Sequence, residues 1–310
     1  MAASAKIAVI VLIPVALAGW AVGVGGVILS LLVVVITVSQ AVVTRGPTQS
    51  LFVLLIGVVA ALGPVAHQRP IGVAVVVGLA AILSYPGNLA SAGLLALAPV
   101  VALLEGIGEI GLASWQALII SLLVGAYVLV VVRIMRVRLP AHPTSRSLAA
   151  RHAAALAISC VGFAYVVAHH NFPHGYWVIA TLAVVLRPST NESRNVARTR
   201  IVGTVVGALI AVVVAVTLPQ SLAVVASGVM VWLLVGYTLA RRTLAAVVTT
   251  SVLIITVVSA SVSGDTVAIA GQRLLWTFVG ATVAVVLGLF LNEVDDASSD
   301  GTSVAAPNSL

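Results

Sequence analysis

The chain has 310 residues, of which 61% are hydrophobic and only 7% are charged, and its formal net charge is +7. A soluble domain carries about a quarter charged residues, so this composition excludes a water-soluble globule. The positive residues stand singly or in small groups between apolar runs, which argues against a nucleic-acid-binding protein.

The apolar runs predict membrane-spanning helices. They are long enough to cross about 30 Å of hydrocarbon as helix, and they lack the alternation typical of membrane β-strands. We therefore predict an all-α polytopic membrane protein with about twelve transmembrane helices. Charged residues and Gly or Pro breaks delimit the segments at 6–23, 25–43, 50–66, 70–85, 89–104, 112–132, 148–169, 172–187, 200–218, 221–240, 243–262 and 268–291.

The first apolar run, 7–43, is too long for one crossing, and the glycines at 23–26 provide a turn. Its start also has features of a secretory signal, with Lys6 before the apolar stretch and an A-x-A pattern at 16–18. The sequence leaves open whether residues 1–18 are cleaved.

The distribution of Lys and Arg predicts the orientation. With a cytoplasmic N-terminus, alternating crossings leave only Arg69 and Arg273 of the 15 positive residues on the outer side. Positive residues are enriched in cytoplasmic loops, so we expect a plasma-membrane protein with both termini in the cytoplasm.

The two halves of the chain predict a duplicated bundle. The breaks at 43–48 and 186–190 both close a crossing with Arg and Pro, and six crossings per half make the repeats parallel. Such duplication is typical of transporters that open a shared cleft alternately to each side. The predicted domains are a first six-helix repeat (1–132), a short basic cytoplasmic linker (133–151), a second six-helix repeat (152–292) and a disordered acidic cytoplasmic tail (293–310).

The stretch 169–190, HHNFPHGYWVIATLAVVLRPST, combines histidines with interfacial aromatic residues. Tyr176 and Trp177 suit a membrane interface, and Arg187 suits the C-terminal end of a helix. The histidines, which include His170 and His174, fit either plain interfacial residues or a proton-responsive gate. No carboxylate or cysteine lies near them, so no metal site is expected.

A cytoplasmic helix is predicted to follow this stretch. The S-x-x-E pattern at 189–192 is a capping box, which indicates a helix from about Thr190 into the ninth crossing. There Gly203 and Gly207 form a GxxxG pattern around Thr204, which favours close helix packing within the chain or between subunits. The pattern therefore allows a homo-oligomer and does not require one.

Two patterns resemble a known family. The segment HGYWVIATLAVVLRPSTNESRNVARTRIVGTVVGALIA ends in Arg200-x-x-Gly-Thr-x-x-Gly207, and GQRLLWTFVGATVAVVLG carries Arg273-x-x-x-Thr-x-x-Gly280-Ala. Both are similar to elements of the fusaric-acid-resistance (FUSC-like) and aromatic-acid exporter superfamily. The resemblance covers about 150–292. It implies proton-driven efflux of aromatic carboxylic acids or similar amphipathic compounds.

The expected function is therefore that of a secondary exporter of small organic acids or amphipathic compounds. The candidate substrate-binding residues are Tyr176, Trp177, Arg187, Arg198 and Arg200. The candidate proton-coupling residues are His170, His174 and Asp265, and the expected helix-packing residues are Gly203, Thr204, Gly207 and Gly280. The acidic residues of the outer connections, Asp265, Glu105 and Glu109, fit either loop solvation or proton carriage.

The expected partners are the organic-anion or amphipathic substrate and membrane lipid, without nucleic acid, cofactor or metal. The lone Cys160 precludes an internal disulfide. An alternative is a non-transport scaffold or regulator of cell-envelope assembly that binds partners or anionic lipid through its basic linker and its tail. An enzyme is not expected, since no HExxH, GxSxG or P-loop pattern occurs.

Overall fold

The structure is a computed structural model that describes residues 13–44, 46–67, 69–89, 96–108, 110–135, 145–187, 190–217, 242–262 and 265–300, with a few residues between 229 and 240. Its regular secondary structure in these ranges is helical, without strands. A short apolar helix covers Ile13–Val22. The helices that follow are α1 (Val24–Ala41), α2 (Pro47–Val65), α3 (Pro70–Ile82), α4 (Ser84–Leu89), α5 (Ala98–Gly106), α6 (Ser114–Met135), α7 (Arg146–His170), α8 (Tyr176–Val185), α9 (Thr190–Thr217), α10 (Thr243–Val262) and α11 (Thr266–Asp300).

The described helices confirm the helical membrane class. Six helical segments are long and apolar enough to cross a bilayer: Pro47–Val65, Pro70–Leu89, Ser114–Met135, Arg146–His170, Asn191–Thr217 and Thr266–Leu291. The twelve-helix, two-repeat arrangement is not confirmed, since the predicted segment 221–240 lies mostly outside the described residues. Large apolar side chains such as Ile134, Ile158 and Leu209 are exposed on the bundle surface, as expected of helices whose solvent is lipid.

Local sequence signals set several helix ends. Pro47 and Pro70 begin α2 and α3, where the missing N–H of proline has no cost. The Ser145 hydroxyl accepts a hydrogen bond from the Leu148 amide and caps α7. The same helix ends at Asn171, which adopts the left-handed conformation at φ 50°. The start of α9 at Thr190 agrees with the predicted capping position.

Two groups of helices meet at the centre of the molecule. In the first group α6 packs on α1 and α2, and α5 lies against α2 and α3. In the second group α9 packs between α10 and α11, and α11 also packs on α8. The groups join where α3 lies along α7 and where α5 contacts α8.

The two short helices at this junction are the most deeply buried elements. All nine residues of α5 are buried, and seven of the ten residues of α8 are buried. The loop after α5 lies beside the end of α7, because Gly106 and Ile107 line one cavity with Ala168 and Asn171. The C-terminal end of α5 and the N-terminal end of α8 therefore lie on the same side of the bundle.

The predicted linker and tail are partly helical. Helix α6 continues through Met135 and α7 begins at Arg146, so helix occupies both ends of 133–151, and 136–144 lie outside the described residues. Helix α11 continues through Asp300, into the segment 293–310 that was expected to be disordered. A helix gains one hydrogen bond for each residue added, which favours this extension beyond the apolar run.

Candidate functional site

The most distinctive buried charge is Arg273, which charge counting had placed on the outer side. In the structure Arg273 is not a loop charge: it lies in the second turn of α11 and is only 1% exposed. The side of the membrane that this turn faces stays a prediction. Its guanidinium carbon lies 4.9 Å from the ring centroid of Trp177, in a cation–π contact. Its Nε has no hydrogen-bond partner, and no carboxylate among the described residues pairs with it.

A second arginine adds positive charge near Arg273. Arg200, on α9, is half-buried, and it lies close enough to Arg273 for the two charges to interact. Its Nε also has no hydrogen-bond partner among the described residues. An uncompensated buried charge costs several kcal/mol, and two like charges repel each other. This arrangement is therefore complementary to an anion.

Aromatic rings form one side of this charged region. Trp177 is 1% exposed. The His174 ring stacks on it with 4.9 Å between centroids and 22° between planes. Tyr176 meets Trp177 edge-on at 5.5 Å, and Tyr176 is also within electrostatic range of Arg273. Planar cationic and aromatic groups of this kind bind planar anionic ligands well.

Small residues allow the helices that carry the site to approach closely. A Cβ atom added at Gly280 of α11 would lie 2.6 Å from the Val178 carbonyl oxygen of α8. A Cβ atom at Gly207 of α9 would lie 2.7 Å from the Val248 carbonyl oxygen of α10. The Gly280 contact holds α11, which carries Arg273, against α8, which carries Trp177.

The other two packing candidates lie at the same α9–α10 contact. A Cβ atom at Gly203 would lie 2.6 Å from a methyl group of Val247. The Thr204 hydroxyl oxygen accepts a hydrogen bond of 3.4 Å from the Ser251 hydroxyl. These packing contacts lie within the chain; whether the chain forms a homo-oligomer stays a prediction.

The remaining candidate arginines lie away from Trp177. Arg187 follows the far end of α8, about 15 Å from Trp177 at 1.5 Å per residue, and its amide donates to the Ser193 hydroxyl at 2.9 Å. Arg198 is exposed on α9. Of the three predicted arginines, Arg200 is the one that lies within electrostatic range of Arg273.

The candidate proton-coupling residues are also separated. His174 lies in the site, is only 7% exposed and has a positive φ of 56°. His170 is exposed, and its ring contacts Phe172 at 5.4 Å. Asp265 is exposed and accepts a hydrogen bond of 2.8 Å from the Val267 amide, so it caps the start of α11.

The burial of two polar residues was not predicted. Glu105 had been assigned to an outer connection, either as a solvated loop residue or as a proton carrier. Glu105, at the end of α5, is only 2% exposed. His152 is equally buried and joins the two groups of helices: its Nδ1 accepts from the Asn88 side-chain amide at 3.0 Å, and its Nε2 donates to the Leu186 carbonyl at 3.0 Å. Neither residue stands in a recognisable motif, and their burial follows only from helix packing.

The fold and this site together define a polytopic helical membrane protein with a cationic and aromatic site between its helices. Residues 156–287 match the family described as fusaric acid resistance protein-like. This part of the chain is therefore similar to that family, as the resemblance over about 150–292 predicted. This family consists of membrane transporters. No curated protein and no solved structure matches the chain.

Proposed function

We propose that this protein is a secondary transporter that exports aromatic or other small organic anions across the plasma membrane. The observation that carries the proposal is Arg273, a buried cation that contacts Trp177 and has no carboxylate partner among the described residues. The family match of residues 156–287 supports the transporter class.

The chemistry of the site favours an aromatic carboxylate. A guanidinium binds a carboxylate through charge-assisted, bidentate hydrogen bonds, and the faces of Trp177 and His174 suit an adjoining ring. Arg200 adds a second positive charge within range of Arg273. An anion bound here would offset the repulsion between the two arginines.

Arg187 extends the proposed route along α8. It is half-buried at the end of the helix opposite the Trp177 contact, and its Nε has no hydrogen-bond partner among the described residues. In the predicted orientation, with both termini in the cytoplasm, Arg187 lies at the cytoplasmic mouth. An organic anion would meet Arg187 first and then the Arg273 site. A proton gradient is the proposed driving force.

Transport into sealed vesicles tests this proposal. The purified protein is reconstituted at controlled orientation, a pH gradient is imposed, and accumulation of benzoate and cinnamate is compared with that of benzyl alcohol, their neutral analogue. We expect vesicles that contain the protein to accumulate the acids faster than protein-free vesicles, which measure passive uptake of the neutral acid forms, and neither to accumulate the alcohol. Equal accumulation in protein-free vesicles would contradict the proposal and favour the scaffold alternative.

The variant Arg273→Met tests the residue that carries the proposal. It removes the charge while keeping an unbranched apolar side chain, and a hydrogen bond to a charged group contributes about 1.5–3 kcal/mol. We therefore expect the apparent affinity for benzoate to fall about 10- to 100-fold. Arg194→Met is the matched control, because Arg194 is exposed on α9. Wild-type affinity in a normally folded Arg273→Met protein would exclude this residue from the site.

A further inference from the structure

Glu105 is a buried acid that the proposed anion site does not use. It lies in the last turn of α5 and is 2% exposed, and neither carboxyl oxygen has a hydrogen-bond partner among the described residues. A carboxylate in such surroundings loses hydration without gaining a donor, which strongly disfavours the ionised form. Its position at the C-terminal end of a helix adds to this effect.

The surroundings of Glu105 are almost wholly apolar. The side chain lies against Gly63 of α2, so closely that a Cβ atom at Gly63 would collide with the Cβ of Glu105. Helices α1, α2 and α3, which pack on α5, contain no Asp, Glu, Lys, Arg or His. Helix α8 contributes one titratable residue, Tyr176.

The nearest basic residues come from the loop between α2 and α3. The Nδ1 of His67 lies 3.1 Å from the Gly106 carbonyl oxygen, and Arg69 lines a cavity of about 70 Å³ together with Gly106 and Asn171. Neither basic residue forms an ion pair with Glu105. Glu109, four residues further along, lies outside the described residues.

This cavity lies beside the C-terminal end of α5. It borders Gly106, the residue next to Glu105, and its lining includes the exposed residues His67, Arg69 and Asn171. Its volume is sufficient for a water molecule, and the polar groups of its lining are suitable partners for one. Burial raises the pKa of Glu105 to about 8, so the carboxyl is mostly protonated at neutral pH.

We propose that Glu105 is a proton-binding site that exchanges protons through the cavity beside Gly106, and that its ionisation alters the contact between α5 and α8. Loss of the proton leaves a carboxylate against Gly63 in apolar surroundings, so α5 must shift or admit water. Helix α5 contacts α8, which carries Trp177 of the anion site. The coupling part of this inference rests on the proposed transport function, whereas proton binding at Glu105 does not.

Infrared titration of the full chain in lipid nanodiscs tests proton binding directly. The difference spectrum between wild type and Glu105→Gln is recorded from about pH 5 to pH 10. We expect a protonated-carboxyl band that wild type has and the variant lacks, and that disappears with a midpoint near pH 8. Asp265→Asn is the control and should retain the band, because Asp265 is exposed.

Three results would overturn the assignment. A midpoint near the ordinary value of 4.5 would show that the carboxyl is hydrated and ionised at neutral pH. A band that persists in Glu105→Gln would assign the proton to another acid. A midpoint that falls when sodium replaces choline as the cation of the titration buffer would show that the site binds sodium. If Glu105→Gln does not fold, Glu105→Asp serves instead, and the expected result is a band with a shifted midpoint.

Transport measurements then test the coupling separately. Benzoate accumulation by Glu105→Gln should lose its dependence on pH between about pH 6 and pH 9, whereas Arg273→Met should lower accumulation at every pH. An unchanged pH profile in Glu105→Gln would overturn the coupling. Absence of benzoate transport by wild type would contradict the proposed function, and the infrared titration would still decide whether Glu105 binds a proton.

Discussion

Replacing Gly280 by alanine tests whether close packing of α11 on α8 holds the anion site together. The added Cβ atom would lie 2.6 Å from the Val178 carbonyl oxygen, whereas ordinary contacts begin at 3.4 Å. The helices must therefore separate locally by about 0.8 Å, the difference between these two distances. The obstacle is backbone, which a rotamer change cannot relieve. Overpacking of this kind costs about 1–3 kcal/mol.

Gly271→Ala on the same helix is the matched control, because a Cβ atom there meets no atom within 4 Å. Alanine favours helix over glycine by about 1 kcal/mol at both positions, so this effect cancels in the comparison. We expect Gly280→Ala to be less stable than Gly271→Ala by about 1–3 kcal/mol, measured by reversible unfolding in mixed micelles.

The same pair of variants connects packing to binding. Val178 is adjacent to Trp177, so a displacement at Gly280 moves Trp177 relative to Arg273. We expect Gly280→Ala to bind benzoate more weakly than Gly271→Ala. Equal stability and equal affinity in the two variants would refute the inference that this contact positions the site.

Three further predictions concern other residues. His152→Ala removes the hydrogen-bond partner of both the Asn88 amide and the Leu186 carbonyl, and each buried group left unsatisfied costs about 1–3 kcal/mol of stability. Thermal unfolding measures this loss of stability, and a loss below about 0.5 kcal/mol would contradict the role of His152. Asp265→Ala should destabilise the start of α11 by about 1 kcal/mol, whereas Asp265→Asn, which can still cap, should not; hydrogen exchange in the first turn distinguishes the two. Burial raises the folded-state pKa of Glu105 from 4.5 to about 8, so the folded chain binds more protons than the unfolded chain and its free energy of unfolding should fall as the pH rises between these values. Glu105→Gln should lack this decrease, and equal slopes of unfolding free energy against pH in the two proteins would refute proton binding at Glu105.

The long helices could be predicted from the sequence because their length and apolar content determine them. The predicted segment 243–262 coincides with α10, and 112–132 differs from α6 by two or three residues at each end. The short helices could not be predicted in the same way. The run 89–104 was read as one crossing, but the described helix is Ala98–Gly106. Composition shows that such a run is removed from water. It does not show whether protein or lipid surrounds it.

The site was predicted in part, for a related reason. Tyr176 and Trp177 were named as interfacial aromatic residues, and Arg200 was named as part of the motif Arg200-x-x-Gly-Thr-x-x-Gly207. Arg273 belongs to the second motif and was still counted among the outer charges, because charge counting registers the sign of a residue and its position along the chain. Its burial depends on Gly280 and on the path of α8, which only the folded chain brings together.

The arrangement of buried charges argues for a function beyond stability. Buried charges in a purely structural role are expected to pair, because an unpaired one costs several kcal/mol. Here the buried carboxyl of Glu105, on α5, is mostly protonated at neutral pH. The buried guanidinium of Arg273 lies on α11, which packs on α8, and the two groups form no ion pair with each other. Pairing them would neutralise both and leave neither able to bind a proton or an anion. The proposed proton site and the proposed anion site therefore lie in different groups of helices, on either side of the contact between α5 and α8.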